Sequence, residues 1–341
     1  MRSGVRCSVV IPVFNKGPFL RECLDSVFAQ TFRDFEVIAV DDASTDDSLA
    51  ILRSYNDPRS RIIASERNQG PGMAAQLAMD AASGDIIFRV DADDVLMPDR
   101  FQRQLDFMAG HTEVGACGSQ MLLLDQPGIW QRNATNDAAC KAQLLFGVAM
   151  FQPTIALRRD VLLEHRIRYA PEWPRYGEDW LFQTRLAEVT RFANVDEPLV
   201  YYRQGPQNTV HGRDRWADLC MLFTAVFASQ GLPAPSEVQL TMHAMAVKYF
   251  RHPPDAATVR AFSSWLDELA AWNKGEGRFD RIAFQDRLER AWNELFPYLP
   301  GFGAAPTWAW FRAGGAMTPA RLYYWMRSAN APGKKAASIA G

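Results

Sequence analysis

GDIIFRVDADDVLMPDRF, residues 84–101, decides how the rest of the chain is read. It begins with an apolar run, Ile86, Ile87, Phe88 and Val90, of the length of a buried strand. Three carboxylates follow at once: Asp91, Asp93 and Asp94. Pro98 and the spacing of Phe101, Leu105 and Met108 then predict an amphipathic helix. The stretch is strand, acidic turn, helix. Asp91 and Asp93 are two apart, so they can converge on one side of an irregular turn. Hard cations such as Mg2+ and Mn2+ take oxygen ligands, commonly one or two carboxylates completed by substrate phosphates. A solvated acidic loop or a set of helix caps reads the same tripeptide without a metal.

Upstream the pattern repeats. Residues 7–13 (CSVVIPV) and 35–40 (FEVIAV) read as buried strands, and 61–64 as a short third one. Between them, Phe19, Leu20, Cys23, Leu24, Val27 and Phe28 recur at helical spacing, and Leu49, Ile51 and Leu52 follow a capping stretch at 44–47. Residues 68–72 (NQGPG) are a loop, and 73–82 a small-residue helix. Strands alternating with helices predict a mostly parallel sheet. Continuously apolar strands predict helices covering both faces. Ligands in such sheets bind beyond the carboxyl ends of the strands. Asn15, Asp42, Asp91 and Asp93 each fall just past such an end. They therefore gather on one rim, as a site for a small anionic ligand held through a metal would require.

Downstream, a helix to about 109 and a strand over 114–124 are expected, then a polar loop at 125–137 and a helix over 138–146. Apolar residues 151–157 carry Pro153, which marks an edge or a strand start. After the aromatic loop 171–176 (PEWPRY), Gly177, Glu178, Asp179 and Trp180 open another helix. Capping and the helix dipole favour an ionised Asp179 there whether or not it is functional. Residues 199–203 (LVYYR) read as a last strand, and 205–208 as a turn. From about His211 the strands stop. Helices are expected at 216–227, 237–250, 256–272 and 282–296, giving domains at 1–210 and 211–341. Near the end, Trp308, Trp310, Phe311, Tyr323, Tyr324 and Trp325 interleave with Arg312, Arg321, Arg327, Lys334 and Lys335. Such a stretch lies on an anionic membrane surface or packs its rings inward. Residues 336–341 read as disordered.

Composition sets wide bounds. The 341 residues are 48 % hydrophobic and 22 % charged, a globular balance with room for one or two domains. A net charge of −2 argues against general nucleic-acid affinity. Five cysteines without metal spacing suit a reducing cytosol. No secretory leader is read at the start, and the longest apolar run, 219–228, is too short for a bilayer span. These features lead to the expectation of a cytoplasmic protein, with 308–335 either packed inward or the candidate for peripheral contact with the inner membrane.

Together the stretches SVVIPVFN (8–15), SVFAQTFRDFEVIAVDDASTDDS (26–48), NQGPGMAA (68–75), GDIIFRVDADDVLMPDRFQRQ (84–104), GEDW (177–180) and YYR (201–203) resemble the family 2 glycosyltransferases of the GT-A fold, which assemble bacterial surface polysaccharides. The resemblance covers about 6–209 and implies a nucleotide-sugar donor, with UDP expected, a Mn2+ or Mg2+ ion, and inversion at the anomeric carbon. It implies that Asp42 bonds the nucleotide base, with Pro12, Val13 and Asn15 lining that pocket. It implies an Asp-X-Asp pair in which Asp93 ligates the metal and Asp91 contacts the ribose or metal. It makes Asp179 the general base, and puts Gly70, Arg89, Glu178 and Trp180 among the substrate-binding residues. The acceptor would be a saccharide or a lipid-linked one.

Three places depart from that family's pattern. An Ala-Arg-Asn run is replaced by Ala74, Ala75 and Gln76, and a His-Pro-Ser/Thr piece by Gln152, Pro153 and Thr154. A His after the Tyr-Arg motif is missing around 204–207, with His211 the nearest substitute. These departures motivate one rival reading, a catalytically degenerate sugar-nucleotide-binding scaffold. A nucleotidyltransferase is the other, and it would need a Gly-rich triphosphate loop. Residues 8–17 hold one Gly and one Lys.

Overall fold

A computed structural model describes residues 7–126, 128–205 and 214–329. The expected turn at 205–208 therefore lies mostly outside the described residues, as do His211, Lys334, Lys335 and the expected disordered end at 336–341. The chain divides into two compact units, Met1–Cys140 with Val148–Gln207, and Lys141–Gly147 with Asn208–Gly341.

The first unit opens as the hydrophobic runs predict. Strand β1 (Cys7–Val13) leads to helix α1 (Gly17–Phe28), β2 (Phe35–Asp41), α2 (Ser48–Ser54), β3 (Ser60–Ala64), α3 (Pro71–Ala81) and β4 (Ile86–Arg89). Every residue of β4 is buried, and so is every residue of β1 except Pro12, which is half-buried. A strand enclosed on both faces is mostly apolar, here with Ser8 and Arg89 as the buried polar exceptions. Helix α1 starts with Pro18 in its first turn and buries Leu20, Cys23, Leu24 and Val27 at helical spacing. Beyond the acidic turn come a short β5 (Val95–Leu96), α4 (Arg100–Gly110) and β6 (Val114–Leu123). Phe101 stacks on Phe88 with ring centroids 4.3 Å apart, which locks α4 onto the strand that precedes the turn.

The remaining elements are β7 (Trp130–Gln131), α5 (Asp137–Gln143), β8 (Ala156–Arg158), α6 (Arg159–Glu164), α7 (Glu178–Leu186) and β9 (Arg191–Tyr202). The sheet runs β3-β2-β1-β4-β8-β6-β9-β5, with β7 beside β6. The α/β class expected from the sequence is the one found. Pairing is parallel through β3-β2-β1-β4 and between β6 and β9, and antiparallel where β8 and β5 join. Two local expectations are corrected. Strand β9 is 12 residues long and not the five of 199–203, because its first half pairs with β6 despite its charged residues. Residues 152–154 form a single 3-10 turn before β8, as Pro153 cannot donate to a ladder.

The second unit is helical: α8 (Trp216–Gln230), α9 (Glu237–Ala246), α10 (Ala256–Glu276), α11 (Arg281–Leu295), α12 (Ala304–Arg312) and α13 (Pro319–Ala329). Ser236 and Gln239 form a capping box on α9, Asp255 caps α10 and Asp280 caps α11. His243 lies among Phe146, Phe223, Phe227 and Trp265, and one ring nitrogen is 2.8 Å from the Leu145 carbonyl. Burial drives its pKa down to about 3, so this histidine is a neutral core residue. Among the described residues no helix is long and apolar enough to cross a membrane.

Candidate active site

Strands β2, β1 and β4 are parallel neighbours, so their carboxyl ends share one rim. Asn15, Asp42, Asp91 and Asp93 follow those ends, as expected. Asn15 takes the left-handed conformation, φ 51°, which asparagine tolerates. Its side-chain oxygen accepts from the Thr45 N–H at 2.8 Å, and its own N–H donates to Ser44 Oγ at 3.0 Å. Asp42 is buried and its carboxylate accepts from the N–H groups of Gln69 (2.9 and 3.1 Å) and Gly70 (2.8 Å). It therefore ties the end of β2 to the loop before α3. Gly70, at φ 95°, supplies a conformation there that other residues avoid.

The turn after β4 carries its acids in three different settings. Asp91 pairs with Arg89, Nη1 to Oδ1 at 2.7 Å. Asp93 pairs with Lys16, Nζ to Oδ2 at 2.5 Å. Asp94 is buried, its Oδ1 accepts from the Arg203 N–H at 2.9 Å, and its Oδ2 has no hydrogen-bond partner among the described residues. Arg203 also donates from Nε to the Asp93 carbonyl at 2.9 Å and reaches Glu22. Behind the turn, fully buried Arg100 donates to the Arg89 carbonyl at 2.9 Å and to Gln104 at 3.1 Å. Burial lowers its pKa to about 9. Burial first, and neighbouring carboxylates second, raise the pKa of Asp94; burial also raises that of Asp93, against the Lys16 charge.

Helix α7 brings the second acidic pair. Gly177 enters it at φ 78°, and Glu178 and Asp179 form its first turn. Both are half-buried, and neither has an ion-pair partner among the described residues. Asp179 Oδ1 accepts from the Trp180 N–H at 2.8 Å, and the Trp180 side chain is buried. The helix start favours the ionised form, yet enclosure outweighs it. Asp179 is raised to about 6 by burial; that Trp180 bond and nearby Arg89 oppose the rise, and the charge of Asp91 adds to it. Glu178 is raised to about 8 by burial and then by Asp179. Arg89 and Asp91 therefore act on both acids, so the β4 turn and the α7 start belong to one site.

Sequence reasoning missed several residues that build this site. Tyr169 stacks on Phe182 of α7, ring centroids 4.5 Å apart. Its hydroxyl accepts from Gln152 at 2.6 Å, and its N–H donates to Gln76 Oε1 at 3.0 Å. The two glutamines that depart from the family pattern thus hold the same tyrosine. Arg175 donates to the Asn68 side chain (2.6 Å) and carbonyl (3.0 Å), and its stem packs against Gly70. A guanidinium thus reaches the 68–72 loop from another segment, while Ala75 is buried and small. Lys16 had a local signal, since it follows Asn15 on the same rim. Neither Tyr169 nor Arg175 carries a motif of its own, and each takes one partner from about a hundred residues away, Gln76 and Asn68.

Among the described residues no cluster of three or more His, Cys, Asp or Glu is arranged to hold a metal ion alone. Asp91 and Asp93 offer two carboxylates, while Asp94, buried and with its pKa raised, is turned to the Arg203 N–H. An all-oxygen, two-carboxylate set fits Mg2+ or Mn2+ when phosphate oxygens complete the shell. Lys16 occupies Asp93 Oδ2, so a cation reaches that oxygen only when the ammonium moves away.

The chain is similar to several known proteins. Residues 8–166 match Glycosyl transferase family 2. An uncharacterized glycosyltransferase of Haemophilus influenzae is 26 % identical over 210 residues, 58 % of this chain and 64 % of that protein. The chain thus spans a little under two thirds of that curated relative. Staphylococcus aureus TarS 1–349 in complex with UDP-GlcNAc superposes with a TM-score of 0.56 at 18 % identity, over 92 % of this chain and 93 % of that one. The mannosyltransferase PcManGT of Pyrobaculum calidifontis, in complex with GDP-Man and Mn2+, gives 0.50 at 18 %, over 95 % and 86 %. These likenesses give the fold as GT-A. The stretch that matches glycosyl transferase family 2, residues 8–166, carries the acids of β2 and of the β4 turn, so this part of the chain is similar to that family.

Proposed function

We propose that the protein is an inverting, metal-dependent glycosyltransferase that moves a sugar from a nucleotide-sugar donor, UDP-linked, to a saccharide or lipid-linked acceptor in bacterial surface polysaccharide synthesis. The observation that carries the reading is the meeting of two acidic groups of different character. One, at Asp91 and Asp93, is held among cations. The other, at Glu178 and Asp179, is enclosed and unpaired.

A divalent ion, when bound, would neutralise the diphosphate leaving group, with Asp93 and Asp91 as its protein ligands. Asp179 accepts the proton of the acceptor hydroxyl as that oxygen attacks the anomeric carbon. The bond from that carbon to the diphosphate oxygen breaks on the opposite side, so configuration inverts and no enzyme nucleophile is required. Asp179 is largely ionised at neutral pH, whereas Glu178 keeps its proton and donates a hydrogen bond to a sugar or acceptor oxygen. Asp42 reads the base: its carboxylate keeps lone pairs beyond those used by Gln69 and Gly70. Pro12, Val13 and Asn15 line its pocket. Arg175 supplies the loop at 68–72 with the positive charge absent at position 75.

The test is UDP release from a panel of UDP-sugars with Mn2+ and candidate acceptors, with the product's anomeric configuration read by NMR. Inverted product supports the reading. Retained configuration rejects the single displacement, and tight donor binding without transfer on any acceptor supports a degenerate scaffold. For location, we propose the cytoplasmic face of the membrane. Trp308, Phe311, Tyr323 and Met326 are exposed beside Arg312 and Arg327, and 304–329 contains no acidic residue. Trp308→Ala with Phe311→Ala is expected to weaken binding to phosphatidylserine vesicles; unchanged binding rejects this face as the contact.

A further inference from the structure

Lys16 is held where a cation would be needed. Its N–H donates to Ser48 Oγ at 2.8 Å, and its carbonyl accepts from Phe19 and Leu20 at 3.0 and 2.9 Å. With the backbone pinned, only the four-carbon stem moves the ammonium. That ammonium lies 2.5 Å from Asp93 Oδ2, with the two side chains only 20 % and 9 % exposed. The other charges around Asp93 are Asp91, Asp94 and Arg203. Asp91 is different. It is 29 % exposed, and the Arg89 guanidinium that pairs with it is also bonded to the Val90 carbonyl. Asp93 is thus the more enclosed acid, and its cationic partner is the more movable one.

We infer that Lys16 and the divalent cation compete for the Asp93 carboxylate, so that the cation enters together with the nucleotide and not before it. The inference rests on the metal-dependent reading above. An ammonium and a dication cannot share one carboxylate oxygen without strong repulsion. Alone, a dication on Asp93 Oδ2 has to displace Lys16, and one on the other oxygen of the same carboxylate still meets the repulsion of the ammonium. A nucleoside diphosphate changes both sides of that exchange: its oxygens complete the metal shell, and they accept from the freed ammonium.

Calorimetric titration of Mn2+ into the full chain tests this, with and without UDP, at constant ionic strength. Lys16→Met is expected to bind Mn2+ about tenfold tighter than the parent without nucleotide, as expected when a partly buried ion pair no longer has to be broken. With UDP present the difference is expected to shrink. Lys16→Gln, which keeps a polar tip, is expected to follow Lys16→Met and covers a folding failure of the first variant. Equal Mn2+ affinities for parent and variants without UDP, while the parent binds Mn2+ with UDP, overturn the inference alone. No Mn2+ binding by the parent even with UDP overturns the metal-dependent reading and this inference with it.

Discussion

The turn after β4 and the first turn of α7 both gather carboxylates, but they treat the charge in opposite ways. At the β4 turn, Asp91 and Asp93 each face a basic side chain within 2.7 Å. At α7, Glu178 and Asp179 face no basic partner at that range, and enclosure pushes both towards the protonated form. The difference follows from position. The β4 turn lies beside β1, whose continuation supplies Lys16, and the last residue of β4 is itself Arg89. The start of α7 is walled by Tyr169, Gly72 and Phe182, which bring no charge. Acids that already face a basic side chain suit a cation or phosphate-bound metal. Enclosed, unpaired acids hold protons near neutrality and suit proton transfer.

The sharpest way to break that comparison is to neutralise each acid in turn. Asp179→Asn is expected to lower kcat by about 10²- to 10⁴-fold, the usual worth of a positioned base, with UDP affinity and melting temperature held. Glu178→Gln is expected to cost less. Full turnover by Asp179→Asn, or a reversed ranking, removes Asp179 from the role. At the other acidic group, Asp93→Ala is expected to weaken Mn2+-dependent UDP binding about a hundredfold, since a bridging cation contributes several kcal/mol. Unchanged calorimetric affinity with Mn2+ present refutes the ligand assignment.

Proton linkage sharpens the contrast further. Turnover requires ionised Asp179, so kcat/KM is expected to rise with pH along an acid limb near 6. A limb at the ordinary carboxylate value of about 4 would contradict the enclosure of Asp179. Stability runs the other way. Because Glu178 and Asp179 hold protons more tightly folded than unfolded, the folded chain binds the extra protons between about 4 and their raised values. Their contribution to stability is present below that window and is lost as pH rises through it. Glu178→Gln is therefore expected to raise the melting temperature at pH 8 relative to the parent and to change it little at pH 4. An equal effect at both pH values rejects the shift.

The smallest expected effect lies outside both acidic groups. Asp42→Ala frees the Gln69 and Gly70 N–H groups, at a cost of about 1–3 kcal/mol if they stay buried. UDP affinity is expected to fall even without metal. An equal loss of ribose 5-phosphate affinity would assign the effect to loop disorder and not to base recognition.

Strands β1, β2 and β4 were legible because enclosed strands are mostly apolar along their length, and turn residues end them sharply. The rim was legible for the same reason: parallel strands put every carboxyl end on one edge, so Asn15, Asp42, Asp91 and Asp93 follow from strand boundaries alone. Long strand β9 was not, because partners in other segments and not its own pattern make it a strand. Segment Lys141–Gly147 groups with the helical unit through Gln143 with Arg287, Leu145 with His243 and Phe146 with Phe284, pairs about a hundred residues or more apart.

The local elements, the edge on which the acids stand and the family that the motifs resemble were legible in the sequence alone. Those depend on periodicity and on short spacings. Only the tertiary structure decided which acid has a counter-charge and which does not. Lys16 meets Asp93 across 77 positions, and Arg203 meets Asp94 across 109. It also turned the two glutamines at 76 and 152 from gaps in a motif into partners of Tyr169. Charge state depends on distance and enclosure in space, and neither is a function of separation along the chain.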